Sequence, residues 1–484
     1  MVTTMYRAPS KRRQLTQRII VYSLMTLGVG ALVTLLVFLM LGYRFNRETS
    51  TIQQGGLVQF NSKPTDANIR IGRAELRDRT PAKITVNPGE YPVTMRRDGY
   101  HDWNKDVLVE AGKVLWLNYA QLIPKDIPVA QAAEFESVAQ VKASLNGRHL
   151  AIVRMADNPV LDMVRINGAR TDRQQIELEK PVPGTAYRVA EWSYDNERLL
   201  VAATKDKKTR WLLAKRQTST ASDIIDLTAR YGESLRDVRF DPRGNERLVV
   251  RTDGNDLRLL NVSEDAMSSI IVPDVEHSSF YGTDHIFYVS RTSKESRSFG
   301  YVSFSDTANP RELKQIKETG PVKVAAAAYF NDPHVAIATG TMVEIYRLSG
   351  LPASGSEEAI TMETLSGRTL PTAPRFLSIR SGGRFVMMQH GGGFATYDIE
   401  LEKHTMTSLK GAETQELRWL DRYHPYVTDG KQLLMMEFDG ANQHALATLT
   451  TRFDAVQTDD GKYVYAMHKT DDAYELRRYQ LNLN

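Results

Sequence analysis

One uncharged apolar stretch near the N-terminus dominates the hydropathy pattern of the chain. It covers residues 19–43, IIVYSLMTLGVGALVTLLVFLMLGY, and contains no Asp, Glu, Lys or Arg. At about 1.5 Å of rise per residue, a helix over this stretch would measure roughly 37 Å. That length exceeds the ~30 Å hydrocarbon core of a bilayer, so the pattern predicts one transmembrane helix with some tilt.

The flanks of this stretch predict its orientation. Residues 1–18 form a basic leash with no Asp or Glu, and residues 44–55 (RFNRETSTIQQG) form a polar, aperiodic spacer. Positive charge on the short side favours a cytoplasmic N-terminus and extracytoplasmic C-terminal domains. A cleaved signal peptide would have an apolar core of about 7–15 residues followed by a small-x-small site. We therefore expect an uncleaved signal anchor, with a single pass through the cell membrane.

Apolar and polar residues then alternate with period two over residues 56–124, which is typical of short β-strands. Turn residues separate the alternating stretches, and the missing N–H of Pro81 is harmless where a strand begins. The region predicts a sandwich of six or seven short strands. The aromatic side chains expected to fill its core are Tyr100, Trp103 and Trp116.

This region resembles a PEGA domain in the order of its motifs. The positions that carry the resemblance are Thr80, Pro81, Pro88, Gly89, Glu90, Tyr91, Gly99, Tyr100 and Trp103. The sequence departs from the Pro-Glu-Gly-Ala motif of the family, since it has Pro-Gly-Glu-Tyr there. The resemblance implies a small β-sandwich of bacterial and archaeal surface proteins, which acts as a spacer or a binding module without catalysis.

Residues 125–135 (KDIPVAQAAEF) are predicted to be a linker, and a repeated pattern fills residues 136–484. Each of eight units has an apolar strand, a turn rich in Gly, Asn, Asp or Pro, a second strand, a polar break and a third strand. The turns lie at 144–149, 193–198, 240–246, 280–285, 329–334, 379–384, 420–425 and 457–462. Their spacing of about 36 to 50 residues is typical of propeller blades. A flexible loop is predicted at 349–358, inside the fifth unit.

The units resemble blades of WD-type and Tol-system-like propellers, in which an Asp-Gly turn precedes an apolar strand. Residues 452–465 (RFDAVQTDDGKYVY) show this pattern, although the Gly-His and Trp-Asp signatures of WD repeats are absent from the sequence. The predicted fold class is therefore mainly β. It comprises one N-terminal transmembrane helix, a small PEGA-like β-sandwich and a seven- or eight-bladed β-propeller.

Charge and cysteine content narrow the classes of function. The formal net charge is +4, and setting aside the five basic residues of the leash leaves 57 of the 62 Lys and Arg against 58 Asp and Glu. A basic footprint for nucleic acid is thus absent from the remaining sequence. The chain has no Cys, which excludes disulfides, thiolate metal ligands and cysteine nucleophiles.

Catalytic motifs are not evident in the sequence. His390 to Phe394 (HGGGF) is similar to an esterase oxyanion loop, but no G-x-S-x-G nucleophile motif accompanies it, so a glycine-rich turn between strands is favoured. The ten histidines show no H-E-x-x-H spacing, and the Asp pairs at 459–460 and 471–472 lack the pattern of a calcium loop. No catalytic, cofactor-binding or metal residue is predicted.

These observations favour a non-catalytic, membrane-anchored binding or scaffold protein of the cell surface. The propeller would be its recognition platform and the PEGA-like module its spacer, with a protein, a peptide or an envelope glycan as partner. Two alternatives stay open. One is a membrane-tethered hydrolase or lyase whose site lies in the propeller funnel, where residues from several blades converge without a local motif. The other is an envelope sensor that needs a partner in the membrane.

Overall fold

The computed structural model describes residues 11–40, 42–46, 51–155, 159–167, 170–178, 182–217, 223–232, 235–352, 358–380, 382–409, 417–428 and 431–483. Two compact units divide the chain, Met1–Lys125 and Asp126–Asn484. The first contains the apolar helix and the PEGA-like region, and the second contains the repeated strand units. Residues 1–10 of the predicted leash lie outside the described residues.

Helix α1 covers Lys11–Met40. Its segment Gln14–Phe38 is long and apolar enough to cross a membrane, with a mean hydropathy of 2.2, a property that signal sequences share. The hydroxyls of three threonines in α1 each donate to the carbonyl four residues earlier, at 2.9–3.0 Å. These polar groups are therefore satisfied inside the helix, as a lipid environment requires.

The predicted bounds of this helix need correction at both ends. The helix begins within the basic leash, because Lys, Arg and Gln propagate a helix well. It ends before Tyr43, which lies in a strand. Gly42 has φ of +78°, the left-handed conformation that commonly terminates a helix and that glycine adopts without strain.

The predicted spacer 44–55 also differs, since it contains most of an antiparallel hairpin. Strand β1 is Tyr43–Asn46 and strand β2 is Thr51–Gln54. The N–H of Gly55 donates to the carbonyl of Gly42 at 3.0 Å. The polar composition hides this hairpin, although its β-branched and aromatic residues favour strands.

Seven strands in the PEGA-like region form two sheets. They are β3 Gly56–Lys63, β4 Asn68–Ile71, β5 Ala74–Glu75, β6 Ala82–Val86, β7 Gly89–Arg96, β8 Trp103–Val109 and β9 Val114–Gln121. One sheet has the order β6-β3-β9, in which β3 and β9 are parallel, and the other has the antiparallel order β5-β4-β7-β8. The alternation of apolar residues therefore predicted the strands correctly.

Two of the three predicted core aromatics are buried. Trp103 is 1% exposed and lies edge-on to Tyr119, with ring centroids 6.1 Å apart, and Tyr100 is also buried. Trp116 was expected in the core as well, but it is 42% exposed. Because side chains alternate along a strand, the burial of Leu117 on β9 leaves Trp116 on the opposite side.

The described strands of the second unit form eight four-stranded antiparallel sheets. The first sheet contains β11 Gln140–Ala143, β12 His149–Met155, β13 Pro159–Asn167 and β14 Arg170–Glu177, and the second contains β15 Ala186–Trp192, β16 Arg198–Lys205, β17 Lys208–Lys215 and β18 Ile225–Asp226. The third sheet contains β19 Leu235–Phe240, β20 Arg247–Thr252, β21 Leu257–Asn261 and β22 Ala266–Met267, and the fourth contains β23 Val275–Tyr281, β24 His285–Arg291, β25 Ser296–Ser303 and β26 Asp306–Lys317. A short helix, α2 Leu227–Tyr231, follows β18.

Sheets five to eight complete the unit. The fifth sheet contains β27 Val322–Tyr329, β28 Asp332–Thr339, β29 Met342–Leu348 and β30 Met362–Thr369, and the sixth contains β31 Phe376–Ile379, β32 Phe385–His390, β33 Gly393–Asp398 and β34 Lys403–Ser408. The seventh sheet contains β35 Arg418–Trp419, β36 Pro425–Thr428, β37 Gln432–Met435 and β38 His444–Thr448, and the eighth contains β39 Val456–Gln457, β40 Tyr463–Lys469, β41 Tyr474–Gln480 and β10 Val129–Phe135. All eight predicted turns join the first and second strands of these sheets. Each sheet has a fourth strand that the pattern of three strands missed.

Strand β10 corrects the prediction of a linker at 125–135. It pairs with β41 from Val129 opposite Tyr479 to Phe135 opposite Tyr474, so the eighth sheet contains both ends of the unit. The sequence of β10 is rich in alanine, and its pairing partner among the described strands, β41, is over 300 residues away in the chain. The strand is specified by that distant partner and not by its own pattern.

Buried side chains from successive sheets pack against one another. One cluster joins Leu161 of the first sheet with Trp192 of the second, and another joins Phe287 of the fourth with Val335 of the fifth. A further cluster joins Val141 of the first sheet with Tyr465 of the eighth. The chain is mainly β, and the cores of the second unit lie between neighbouring sheets.

Candidate functional site

The first strands of neighbouring sheets lie side by side, and their polar side chains meet there. β11 contacts β15, β15 contacts β19, and β23 contacts β27. A set of charged or titratable side chains from the first two strands of sheets one to five collects at these contacts. We call this set the inter-sheet cluster, and its members are Lys142, Glu191, Asp237, Arg239, Arg251, His277 and Lys323.

Several first-strand side chains hydrogen-bond to the backbone of the next sheet. Gln140 accepts the N–H of Val189 at 2.7 Å, and Glu191 accepts the N–H of Phe240 at 2.7 Å. First strands have a free edge, and its buried N–H groups need acceptors. In these cases a polar side chain on the adjacent sheet supplies the acceptor, which gives these polar residues a role in the strands.

Glu191 is the most buried carboxyl group of the inter-sheet cluster. Burial raises its pKa, and Arg239 opposes this effect with a guanidinium nitrogen 3.7 Å from the carboxylate oxygen. Arg239 in turn lies over the ring of Phe280, 4.5 Å from the ring centroid. The guanidinium is therefore held between a carboxylate and an aromatic face, an arrangement that fixes its direction.

His277 is neutral in this environment. Burial, followed by the positive charges of Arg239, Lys323 and Arg251, lowers its pKa from 6.5 to about 4. Its Nδ1 accepts the N–H of Val324 at 3.3 Å, so the ring proton resides on Nε2. The neighbouring Ser279 similarly accepts the N–H of Ala326, at 3.1 Å.

Lys323 is one of the three cations around His277. Burial and the charge of Arg375 lower its pKa, and its ammonium group donates to the carbonyl of Arg375. The inter-sheet cluster contains four cationic side chains and two carboxylates, of which Glu191 has a raised pKa. This surplus of positive charge in a partly desolvated place suits an anionic group.

The glycine-rich turn after β32 serves structure. The N–H of Gly391 donates to the Thr372 hydroxyl at 2.9 Å, and that of Gly392 donates to Nδ1 of His390 at 3.2 Å. The two N–H groups that an oxyanion loop would offer to substrate are thus already used. In the described part of the chain, no three or more His, Asp or Glu side chains form a group that could hold a metal ion.

The predicted PEGA motif residues lie in the first unit, at both buried and exposed positions. Thr80 is buried and shares a 2.6 Å hydrogen bond with Ser62, and the Tyr91 hydroxyl donates to the Asn87 carbonyl at 2.9 Å. Gly89 and Gly99 have φ of +152° and +83°. The remaining motif positions divide into buried Tyr100 and Trp103 and exposed Pro81, Pro88 and Glu90.

The sequence did not predict the residues of the inter-sheet cluster as a site. They lie on strands of five different sheets, such as Glu191 on β15 and His277 on β23, and no spacing along the chain connects them. A usable signal was the recurrence of a charged residue or His in the strand before several of the predicted turns, for example Arg239 and His277.

Comparison with known proteins identifies part of the chain. Residues 56–122 match the PEGA domain family. No curated protein sequence matches the chain. The β-propeller domain of Myceliophteria thermophila Cps50 (Swd1) is similar at 9% identity and a TM-score of 0.42, over 72% of this chain and 99% of that one.

Two further solved structures are comparably similar. Apo AztD from Citrobacter koseri has 10% identity and a TM-score of 0.41, over 81% of this chain and 98% of that one. An oligogalacturonate lyase in complex with manganese has 11% identity and a TM-score of 0.38, over 74% and 98%. These similarities are too remote to indicate a function.

Proposed function

We propose that the chain is a single-pass membrane protein whose exported part binds an envelope component without catalysis. Helix α1 is its uncleaved anchor, with the N-terminus in the cytoplasm. The PEGA domain is a small sandwich that serves as a spacer, and the second unit is an eight-bladed propeller that serves as the recognition platform. Its partner is a protein, a peptide or an envelope glycan.

Two contacts support a closed ring of eight blades. The pairing of β10 with β41 unites the two ends of the unit in one sheet, as ring closure requires. The eighth sheet also packs on the first through Val141 and Tyr465, and the N–H of Ala143 donates to Asp454 at 3.3 Å. A ring lets every sheet bury both faces against neighbours, which a single four-stranded unit cannot do alone.

The inter-sheet cluster is the observation that carries the binding proposal. In a propeller the first strands line the central funnel, so the cluster would face incoming ligand. Its cations outnumber its carboxylates, and the carboxylate of Glu191 and the ring of Phe280 hold the guanidinium of Arg239 in place. Pre-oriented charge of this kind recognises an anionic group at a low cost in conformational entropy.

Binding is tested with the full chain in nanodiscs of neutral lipid, incubated with fractionated cell envelope. Lys323→Gln removes one cation of the inter-sheet cluster, and we expect it to weaken capture by about fivefold. Lys317→Gln, at an exposed position on β26, is the matched control and should leave capture unchanged. Equal capture by both variants would argue against the site.

Topology is tested by protease treatment of intact cells with a tag at each terminus. The proposed orientation leads us to expect loss of the C-terminal tag and protection of the N-terminal tag. Protection of the C-terminal tag would show that the orientation is wrong.

A lyase or hydrolase in the funnel is the second candidate. His277 is neutral and can accept a proton, while the positive charges of Arg239 and Lys323 stabilise a carboxylate. Catalysis would be supported if an acidic glycan incubated with the protein acquired new chain ends. The Lys323→Gln variant should then produce none. The third candidate, an envelope sensor, would require a membrane protein that co-purifies through α1.

A further inference from the structure

A basic cleft lies between the second and third sheets. Its volume is about 700 Å³, within the ~300–1,000 Å³ range of ligand pockets. It is bounded by the turn between β16 and β17 on one side and by the start of β19 on the other. Its charged lining residues are Lys205, Asp206, Lys207, Lys208, Arg210, Arg236 and Asp253.

The cleft has more positive charge than its own carboxylates can neutralise. Arg210 forms an ion pair with Asp226, at 3.0 Å, and Arg236 donates to the neutral Asn255 side chain at 2.6 Å. Among the residues that the structure describes, Lys205, Lys207 and Lys208 form no ion pair within 4.0 Å. Three ammonium groups at one mouth repel one another unless an anion lies between them.

The backbone of this turn is unusual for its sequence. Asp206 and Lys207 occupy a two-residue hairpin turn with φ of +50° and +64°. Asn-Gly or Asp-Gly is the common choice at such positions, since glycine adopts positive φ without strain. Lysine at the second position is strained, and it places an ammonium group at the mouth of the cleft where glycine would place none.

We propose that this cleft binds a segment of an anionic envelope polymer, through phosphate or carboxylate groups spaced along its chain. The proposal rests on the binding function above and specifies the class of ligand. Lysine ammonium groups bind such oxygens as point charges without requiring one fixed geometry. A polymer segment can enter a concave cleft and contact Arg236 as well as the lysines of the turn, whereas a flat bilayer surface would touch only its rim.

The test uses the full chain in neutral-lipid nanodiscs, with polyphosphate, polygalacturonate and neutral dextran as probes. We expect one of the polyanions to bind and dextran not to bind, and the better polyanion distinguishes phosphate from carboxylate. The double variant Lys207→Gln/Lys208→Gln should weaken that binding by about tenfold. The matched control Lys317→Gln/Lys403→Gln makes the same charge change at exposed positions elsewhere and should stay within twofold of wild type.

Lys207→Gly separates ligand binding from folding. It removes the charge and relieves the positive φ, so binding should fall while the melting temperature is unchanged or rises. Binding that is equal in the wild type and both cleft variants would overturn the cleft proposal. If Lys323→Gln abolished polymer binding and the cleft variants did not, the proposed binding function would stand, but the cleft would not be the binding site. Failure of every probe to bind above dextran would also overturn the proposal, while capture from envelope fractions tests the function separately.

Discussion

Protonation of His277 should destabilise the second unit in acid. Its pKa is about 4 in the folded chain against 6.5 for the free side chain, so protons bind the unfolded chain more tightly. Above pH 6.5 both states are neutral and the effect vanishes, and stability falls as the pH drops from 6.5 to 4. At pH 5 the proton-binding difference amounts to about 2 kcal/mol, and it approaches about 3 kcal/mol below pH 4.

His277→Asn isolates this effect, because the Asn side-chain oxygen can still accept the N–H of Val324 but does not titrate. The assay is calorimetry of the full chain in nanodiscs of neutral lipid. At pH 5, the melting temperature of the second unit should be about 3 °C lower in the wild type than in the variant. This shift follows from the size of the unit, roughly 360 residues. At pH 7.5 the two transitions should differ by much less.

Ser279→Ala is the matched control on the same pair of strands. It removes the acceptor of the Ala326 N–H without changing a titratable group, so it should cost about 1 kcal/mol at every pH. A His277→Asn variant whose acid sensitivity equals that of the wild type would refute the reasoning. It would mean that the ring is protonated in the folded protein at pH 5 or that the cations around it are screened.

Three further substitutions test the assignment of buried and exposed side chains, each by the same calorimetry. Asp162 is fully buried and forms ion pairs with Arg154 and Arg173, the latter at 2.7 Å. Asp162→Asn should lower the free energy of unfolding by about 3 kcal/mol, because it leaves two arginines unpaired. A loss below about 1 kcal/mol would contradict the pairing. Trp103→Ala should lower the free energy of unfolding of the first unit by about 3–5 kcal/mol, whereas Trp116→Ala should lower it by under about 0.5 kcal/mol. Equal losses would show that the assignment of the inner and outer faces of the sheet is wrong.

Local turn chemistry made the repeated strands predictable. Asn196 and Gly461 have φ of +62° and +70° in the second and eighth of the predicted turns, and both residue types tolerate that conformation. The strands after these turns are apolar on both faces because neighbouring sheets cover them. A short window of sequence therefore contains enough information to place a turn and the strand that follows it.

Non-local features could not be predicted in this way. Strand β10 exists because β41 offers it a partner, and Trp116 is exposed because of the face that β9 buries. The inter-sheet cluster has the same origin. Its members lie on strands of five different sheets, and only the arrangement of successive sheets brings Arg239 near His277.

The inter-sheet cluster contains two kinds of polar residue with different consequences for substitution. Glu191 and His277 accept backbone N–H groups of the next sheet, so their loss leaves buried donors unsatisfied and weakens the contact between sheets. Lys323 donates to a carbonyl, which retains a second lone pair and tolerates the loss better. Substitution of Lys323 therefore reports on binding, whereas substitutions of the acceptors report mainly on folding. A ligand effect seen only with Glu191 variants would consequently be evidence about the stability of the sheets and not about recognition.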